Sequence, residues 1–232
     1  MNGILLIAKP KGITSHDVVD RVRRITGERT VGHAGTLDPL AEGLLIILIG
    51  RDATRRQAEF MAGEKEYVAT VHLGAVSDTD DAEGTIEMTK PKAQIPNEIQ
   101  INATLKRFTG EIQQVPPVYS AIKLKGRKAY ELAREGTTPV IEPRTVEIKE
   151  IELLEYAYPL LRIRVVCGKG TYIRSLARDI GRTLGCGAYL TALTRTRSGA
   201  FHLDDAVSLD ALTPENWISF ILPLPAHGQM KE

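Results

Sequence analysis

Thr145-Val146-Glu147-Ile148-Lys149-Glu150-Ile151-Glu152-Leu153-Leu154, then Leu160-Leu161-Arg162-Ile163-Arg164-Val165-Val166, then Tyr172-Ile173-Arg174-Ser175-Leu176-Ala177-Arg178-Asp179-Ile180-Gly181-Arg182-Thr183-Leu184: the order of these three runs decides the fold class. In the first two, apolar and polar residues alternate, the pattern of half-buried strands, and their proximity predicts a paired antiparallel ribbon. In the third, Ile173, Leu176, Ala177 and Ile180 recur at helical spacing, and Gly185 to Gly187 supply a stop. Two strands in succession followed by a helix do not build the alternating βαβ order of a doubly wound sheet.

Outward from that run the same reading continues. Ile4 to Ala8 is a short apolar strand that ends at Lys9-Pro10-Lys11-Gly12. A helix follows, with Thr14 or Ser15 as N-cap, Asp17 in its first turn, an apolar face of Val18, Val19, Val22 and Ile25, and Gly27 after it. Val31 to Gly43 holds three glycines and a proline and reads as a loop leading into Leu44 to Ile49, a strand buried on both faces. Tyr67 to Leu73 alternates as a strand, and the acidic stretch Asp78 to Glu87 reads as a solvated loop. A helix is expected over Asn97 to Phe108, and Gln113 to Pro117 marks an irregular excursion, because proline cannot donate to a ladder. Arg127 to Arg134 reads as helix stopped by Gly136, and the stretch after Phe201 as a helical tail over Asp204 to Leu224 with a polar end, Gly228 to Glu232. No fixed-period repeat occurs. The expectation is α+β: a mixed, mostly antiparallel sheet with flanking helices.

Composition limits the function classes. The 232 residues suffice for one sizeable core, and the apolar and charged fractions are those of a folded globular protein. The N-terminal apolar run is too short to span a membrane and lacks the basic segment of a signal peptide, so a cytoplasmic location without membrane contact is expected. Cys167 and Cys186 make no disulfide framework and no C-x-x-C pair, and read as free thiols. Gly168-Lys169-Gly170 opens like a dinucleotide fingerprint, but Ile173 stands where the third glycine belongs, and no phosphate-binding P-loop occurs. The five histidines, His16, His33, His72, His202 and His227, form no H-x-x-x-H or H-x-H pair, and no G-x-S-x-G elbow is present. Neither a cofactor nor a metal is expected. The net charge of +1 does not itself announce a nucleic-acid partner, but the charge is uneven. Ala121 to Arg134 carries Lys123, Lys125, Arg127, Lys128 and Arg134 against Glu131, with Tyr119 beside it as a stacking surface. A solvated helix face could show the same charges.

Gly32-His33-Ala34-Gly35-Thr36-Leu37-Asp38-Pro39-Leu40-Ala41-Glu42-Gly43 is the most informative segment for chemistry. Glycines allow tight backbone geometry and Pro39 fixes the turn after Asp38, so the loop can hold a carboxylate at a cleft. An aspartate that merely bonds its own turn is the competing reading.

This segment resembles the catalytic motif of the TruB-type tRNA pseudouridine synthases. Further segments are similar to that family's motifs in the same order. They are Lys9-Pro10-Lys11-Gly12-Ile13-Thr14-Ser15, Lys65-Glu66-Tyr67, Val115-Pro116-Pro117-Val118-Tyr119-Ser120-Ala121-Ile122-Lys123, and Cys167-Gly168-Lys169-Gly170-Thr171-Tyr172-Ile173-Arg174-Ser175-Leu176. The resemblance covers nearly the whole chain and implies the pseudouridine synthase catalytic fold and isomerisation of a uridine in the T loop of tRNA, position 55. It implies that Asp38 is the catalytic carboxylate, acting as nucleophile at the ribose or as base, and ionised in either role. Arg174 is implied as its guanidinium partner, against the alternative of a solvated helix arginine. Tyr67 is implied to stack on the uracil and handle the C5 proton, Tyr172 and Leu193 to wall the pocket, Lys9 to support it, and His33 to pack where the base leaves its stack.

The resemblance also assigns residues 1–201 to a catalytic domain with a thumb-like RNA-binding insertion near 111–136. It leaves 202–232 as a short tail rather than the complete C-terminal PUA domain usual in the family. The expected partner is the tRNA T-arm, and the expected state a monomer. Two other readings are a synthase acting on another RNA loop and a tRNA-folding chaperone without chemistry.

Overall fold

The computed structural model describes residues 1–89, 95–120, 122–124, 126–135 and 139–226. In chain order the elements are β1 (Gly3–Lys9), α1 (Ser15–Thr26), β2 (Val31–Ala34), β3 (Glu42–Ile49), α2 (Arg51–Arg55), α3 (Gln57–Ala62) and β4 (Lys65–Leu73). Next come β5 (Ala75–Ser77), β6 (Ile86–Met88), α4 (Glu98–Arg107), β7 (Gly110–Gln114), β8 (Lys123–Leu124), β9 (Arg127–Lys128) and α5 (Ala129–Arg134). The chain closes with β10 (Arg144–Ala157), β11 (Leu160–Cys167), α6 (Ile173–Leu184), β12 (Ala188–Ser198), β13 (Phe201–His202) and β14 (Val207–Ser208). It divides into two compact units, one of Met1–Val68 with Leu193–Glu232 and one of Ala69–Ala192, so β4 and β12 have residues in both.

In the first unit the strand order is β14-β1-β3-β12, with β2 also on β3 and β13 on β12. β1 and β3 are antiparallel from Gly3 opposite Ile49 to Lys9 opposite Gly43. Ile4, Leu6, Leu44, Ile46 and Leu48 form one apolar cluster with Ala34, Ala53 and Phe60, onto which Phe201, Leu203, Ala206 and Leu224 pack. By strand alternation Leu5, Ile7, Leu45, Ile47 and Ile49 point the other way, and they are equally buried. This is why both strands read as continuous apolar runs. Helix α1 starts with a capping box: the Thr14 hydroxyl accepts from the Asp17 amide while the Asp17 carboxylate accepts from the Thr14 amide. It buries Val18, Val19 and Val22 and ends on Gly27 in the left-handed conformation.

In the second unit the order is β12-β4-β11-β10-β7, with hairpins β5-β6 and β8-β9 beside it. The β10-β11 ribbon pairs from Ile148 opposite Cys167 to Ala157 opposite Leu160, with two register shifts along it. Helix α4 is capped by Asn97 and Gln100 in a reciprocal box, and α6 is closed by Gly185 at φ 76°. Both cysteines are buried, and neither is in a disulfide. The fold is α+β with a mostly antiparallel sheet, as the alternation of the ribbon implies.

Four expectations need correction. Val31–Ala34 is not loop but strand β2, paired antiparallel from Val31 opposite Ile49 to Ala34 opposite Ile46. The acidic stretch Asp78 to Glu87 is largely exposed, as expected, but it is not simply loop: Asp81 is 2% exposed, and the β5-β6 hairpin frames the turn. Arg127 and Lys128 lie in β9, and helix begins only at Ala129; Gly136, its expected stop, is outside the described residues. Among the described residues after Phe201 there is no α-helix. Short 3-10 turns at Leu203–Asp205, Leu209–Ala211 and Trp217–Phe220 alternate with β14, which pairs parallel with β1, and Leu222 exchanges backbone hydrogen bonds with Ile4.

Candidate active site

Asp38 is half-buried on the connection from β2 to β3. The Ala41 amide donates to the Asp38 carbonyl at 3.0 Å and closes a turn over Pro39 and Leu40. Ser15, buried at the start of α1, clasps the preceding residue from both sides: its hydroxyl donates to the Leu37 carbonyl at 3.0 Å and accepts from the Leu37 amide at 2.8 Å. The Gly12 amide donates to the Pro39 carbonyl at 2.8 Å. Leu37 and Leu40 are buried to either side. A loop pinned on both flanks of one carboxylate gives that carboxylate a fixed position, as a reacting group needs.

Lys9 ends β1 and is 1% exposed, with its ammonium donating to the Pro10 carbonyl at 2.9 Å and the Ile13 carbonyl at 2.6 Å. It braces the turn that supplies Gly12. His33 is half-buried in β2, and its pKa is lowered, first by burial and then by the positive Arg195 and His16. The imidazole is therefore held neutral. Its Nδ1 is buried without a hydrogen-bond partner among the described residues. Tyr67 is half-buried in β4, and Leu193 is buried in β12 at 8% exposure. Asp38, Lys9, His33, Tyr67 and Leu193 all belong to the first unit.

Arg174 and Tyr172 belong to the second unit. Arg174 is 6% exposed, which rules out the solvated-helix reading. Its guanidinium donates to the Thr79 carbonyl at 3.2 Å and the Tyr119 carbonyl at 3.1 Å, and lies 3.4 Å from the Asp81 carboxylate. Arg178, one turn later, pairs with Asp80 at 2.7 Å and donates to the Val115 carbonyl at 2.8 Å. These two arginines therefore hold together the acidic turn and the root of the basic segment. Asp80 has φ 63°, and its pKa is pushed up to about 6 because burial outweighs the attraction of Arg178 and Arg174.

Tyr172 caps α6 without a side-chain cap of its own. The wholly buried Gln114 replaces it, accepting from the Tyr172 amide at 2.8 Å and donating to the Tyr172 carbonyl at 3.1 Å. The Arg144 guanidinium lies 4.8 Å from the centre of the Tyr172 ring. Of the basic segment, Lys125 lies outside the described residues, and Lys123 and Lys128 are placed only as strand backbone in β8 and β9. Tyr119 is half-buried. Arg127 is exposed but pairs with Glu135, so part of the basic charge is neutralised by a carboxylate just past the segment. A cleft of about 440 Å³, lined by Pro96, Gln100, Thr104, Arg107 and Leu184 among others, contains none of the expected site residues.

Reasoning from the sequence missed Ser15, Gln114, Asp81, Arg178 and Arg195. Arg195 alone left a usable signal. In Leu193-Thr194-Arg195-Thr196-Arg197-Ser198 the period of two puts Arg195 on the face of the apolar Leu193.

The TruB family pseudouridylate synthase N-terminal domain matches residues 23–173, and the tRNA pseudouridylate synthase B C-terminal domain matches residues 174–219. The chain is 49% identical over 209 residues to a tRNA pseudouridine synthase B of Protochlamydia amoebophila, covering 90% of this chain and 78% of the relative. With the Desulfotalea psychrophila protein of the same name it shares 49% identity over 98% of this chain and 96% of the relative. Among solved structures, a chain of a Cbf5–Nop10–Gar1 complex superposes with a TM-score of 0.71 at 34% identity, over 93% of this chain and 54% of the solved one. A chain of an H/ACA RNP bound to a substrate RNA containing 2′-deoxyuridine gives 0.70 at 31% identity, over 95% of this chain and 59% of the solved one. The present chain thus spans little more than half the length of those solved chains. With family domains matched from Arg23 to Ser219 and relatives at nearly half identity along almost its full length, the chain belongs to the TruB family of pseudouridine synthases.

Proposed function

We propose that this chain isomerises a uridine of the tRNA T arm, position 55 in the T loop, with Asp38 as the essential carboxylate. The reaction class comes with the family: uridine in tRNA becomes pseudouridine, and the enzyme is an isomerase. The arm, the position and the residue roles are this reading's own.

The reaction breaks the bond between ribose C1′ and uracil N1, turns the base, joins C5 to C1′ and moves the C5 proton to solvent while N1 takes one up. Nothing else enters or leaves. A carboxylate serves the first step either by adding to C1′ or by taking the 2′ proton. The observation that carries the reading is the Asp38 turn, held by Ser15 at Leu37, by Gly12 at Pro39 and by its own Ala41 amide. A turn aspartate with no task does not call for such bracing. Tyr67 is assigned to stacking on the base and to the C5 proton, and Arg174 to the cationic support of the carboxylate chemistry. The neutral His33 suits contact with RNA where a charged imidazole would favour phosphate over bases. The basic segment around Arg127 and Lys128, with Tyr119, is assigned to the RNA backbone. No described helix is long and apolar enough to cross a membrane. We place the protein in the cytoplasm as a monomer.

The test is to incubate the purified protein, without cofactor, with an unmodified tRNA transcript and separately with its T-arm hairpin, and to map pseudouridine. Product at the T-loop uridine of both supports the reading. Product only at another site moves the substrate to a different RNA loop, and binding without product moves the protein to the chaperone reading.

A further inference from the structure

We propose that Arg195 is a positioning residue for this reaction: its buried guanidinium ties together the two ends of the loop that carries Asp38. The inference rests on the reading of Asp38 as the reacting carboxylate.

Arg195 is 1% exposed, among the largest fully buried side chains of the chain. Its Nε donates to the Leu44 carbonyl at 2.7 Å and its Nη2 to the Gly35 carbonyl at 3.0 Å. Gly35 opens the loop just after β2, and Leu44 stands where β3 has resumed, so one rigid fork spans the loop's base. The Arg195 backbone reinforces the same place. β12 pairs parallel with β3 there, with Arg195 opposite Gly43. A Cβ on Gly43 would fall 2.4 Å from the Arg195 carbonyl oxygen, and Gly43 has φ 100°, so glycine is required for the approach. A Cβ on Gly35 would meet Arg195 Nη1 at 3.3 Å.

The partners distinguish this arginine from its neighbours. Arg197, two residues on, is 22% exposed and pairs with Glu64, an ordinary partly solvated ion pair. Arg195 instead gives its hydrogen bonds to backbone carbonyls, so a full charge is buried against neutral acceptors. Such burial is costly, and an apolar side chain would fill the space at lower cost. What an apolar side chain cannot do is hold two carbonyls nine residues apart in fixed relation. Lysine cannot do it either, because an ammonium at the end of a flexible stem lacks the planar fork. The clamp acts at the loop's ends, Ser15 and Gly12 act near its middle, and Asp38 lies between them. Loosening the ends lets the carboxylate wander, and a displacement of about 1 Å at a reacting group can cost roughly a hundredfold in rate.

The experiment compares Arg195→Lys, Arg195→Met and the control Arg197→Met with the parent protein. Three readouts are taken: hydrogen exchange by peptide mass spectrometry, thermal unfolding, and steady-state kinetics on the tRNA transcript. The expected result for Arg195→Met is faster exchange in peptides covering residues 35–44 but not in those covering β10 and β11. With it kcat should fall about a hundredfold while KM for RNA stays within about twofold. Arg195→Lys should lie between, since one of the two carbonyls can still be reached, and Arg197→Met should match the parent. Should Arg195→Met fail to fold, the same pattern in Arg195→Lys decides. A kcat at the parental level in a variant whose loop exchanges faster would overturn the proposal, as would exchange raised equally everywhere or a loss confined to KM. Asp38→Asn separates the two layers: turnover in that variant would remove Asp38 from the chemistry, whereas the exchange pattern still reports whether Arg195 clamps the loop.

Discussion

The two regions that carry the expected chemistry are held by different kinds of force. The Asp38 loop in the first unit is fixed by hydrogen bonds to its backbone, from a serine hydroxyl on Leu37, the Gly12 amide on Pro39, and one buried guanidinium on two carbonyls. The start of α6 in the second unit is fixed by charge: Arg174 with Asp81, Arg178 with Asp80 and Asp179, and Arg182 with Asp179. Hydrogen bonds to the backbone keep their strength across pH and salt. Buried carboxylates do not, and Asp80, with a pKa of about 6, sits at the edge of its ionised range. The contacts that hold the Asp38 loop thus do not titrate, whereas those that hold the start of α6 include a carboxylate that does.

The sharpest break is at Asp38 itself. Asp38→Asn should abolish pseudouridine formation while leaving the circular dichroism spectrum and thermal midpoint near the parent's, because the amide keeps the shape but is neither nucleophile nor base. Measurable product from the purified variant would remove Asp38 from its role. Next comes Arg174→Lys, expected to lose about tenfold to a hundredfold in kcat, since the ammonium cannot keep the contacts to Thr79, Tyr119 and Asp81. Near-parental turnover would reduce Arg174 to a strut of the acidic turn. Tyr67→Phe should bind RNA normally and slow only late steps, because the ring still stacks while the phenol is gone. Single-turnover experiments that follow bond breakage and final product separately check this.

Two smaller effects compare the regions directly. Ser15→Ala strands the buried Leu37 amide and carbonyl and should cost about 1–3 kcal/mol by denaturant titration, by the same amount at pH 5 and pH 8. Asp80→Asn should show the opposite behaviour. The raised pKa means that the folded state favours protonated Asp80, a contribution complete below the ordinary value of 3.8 and lost as pH rises through about 6. The asparagine variant loses nothing over that window, so its stability relative to the parent should improve from pH 4 to pH 7 and then level off. The change should be on the order of 1–2 kcal/mol, since Asp80 keeps some solvent contact. A flat difference across that range would show that Arg178 compensates the burial of Asp80 fully.

What the sequence disclosed and what it hid divide along the same line. Local patterns were legible: the Thr14–Asp17 box, the apolar runs of β1 and β3, the alternation of β10 and β11, and Gly185 after α6. The family was legible because motifs of consecutive residues carry it. The acidic turn was misread because its charges are paired with Arg174 and Arg178, more than ninety residues away, which no local window can register. β2 was misread because Gly32-His33 has no strand signal of its own and gains its structure by pairing with β3. The tail looked helical from its apolar residues, yet Thr213-Pro214 and the pairing of Val207 with Ile7 leave only single turns.

The first unit is assembled from the two ends of the chain, and this bears on how the protein is made. Residues 69–192 are contiguous, and β1 receives its neighbour β14, and the Asp38 loop its Arg195, only after the whole of that stretch has been synthesised. At the usual pace of translation the wait is roughly ten seconds. During that time the nascent N-terminal strand presents an unpaired apolar edge. A chain released before residue 195 would keep the Ser15 and Gly12 contacts of the Asp38 loop but lack the guanidinium that joins Gly35 to Leu44.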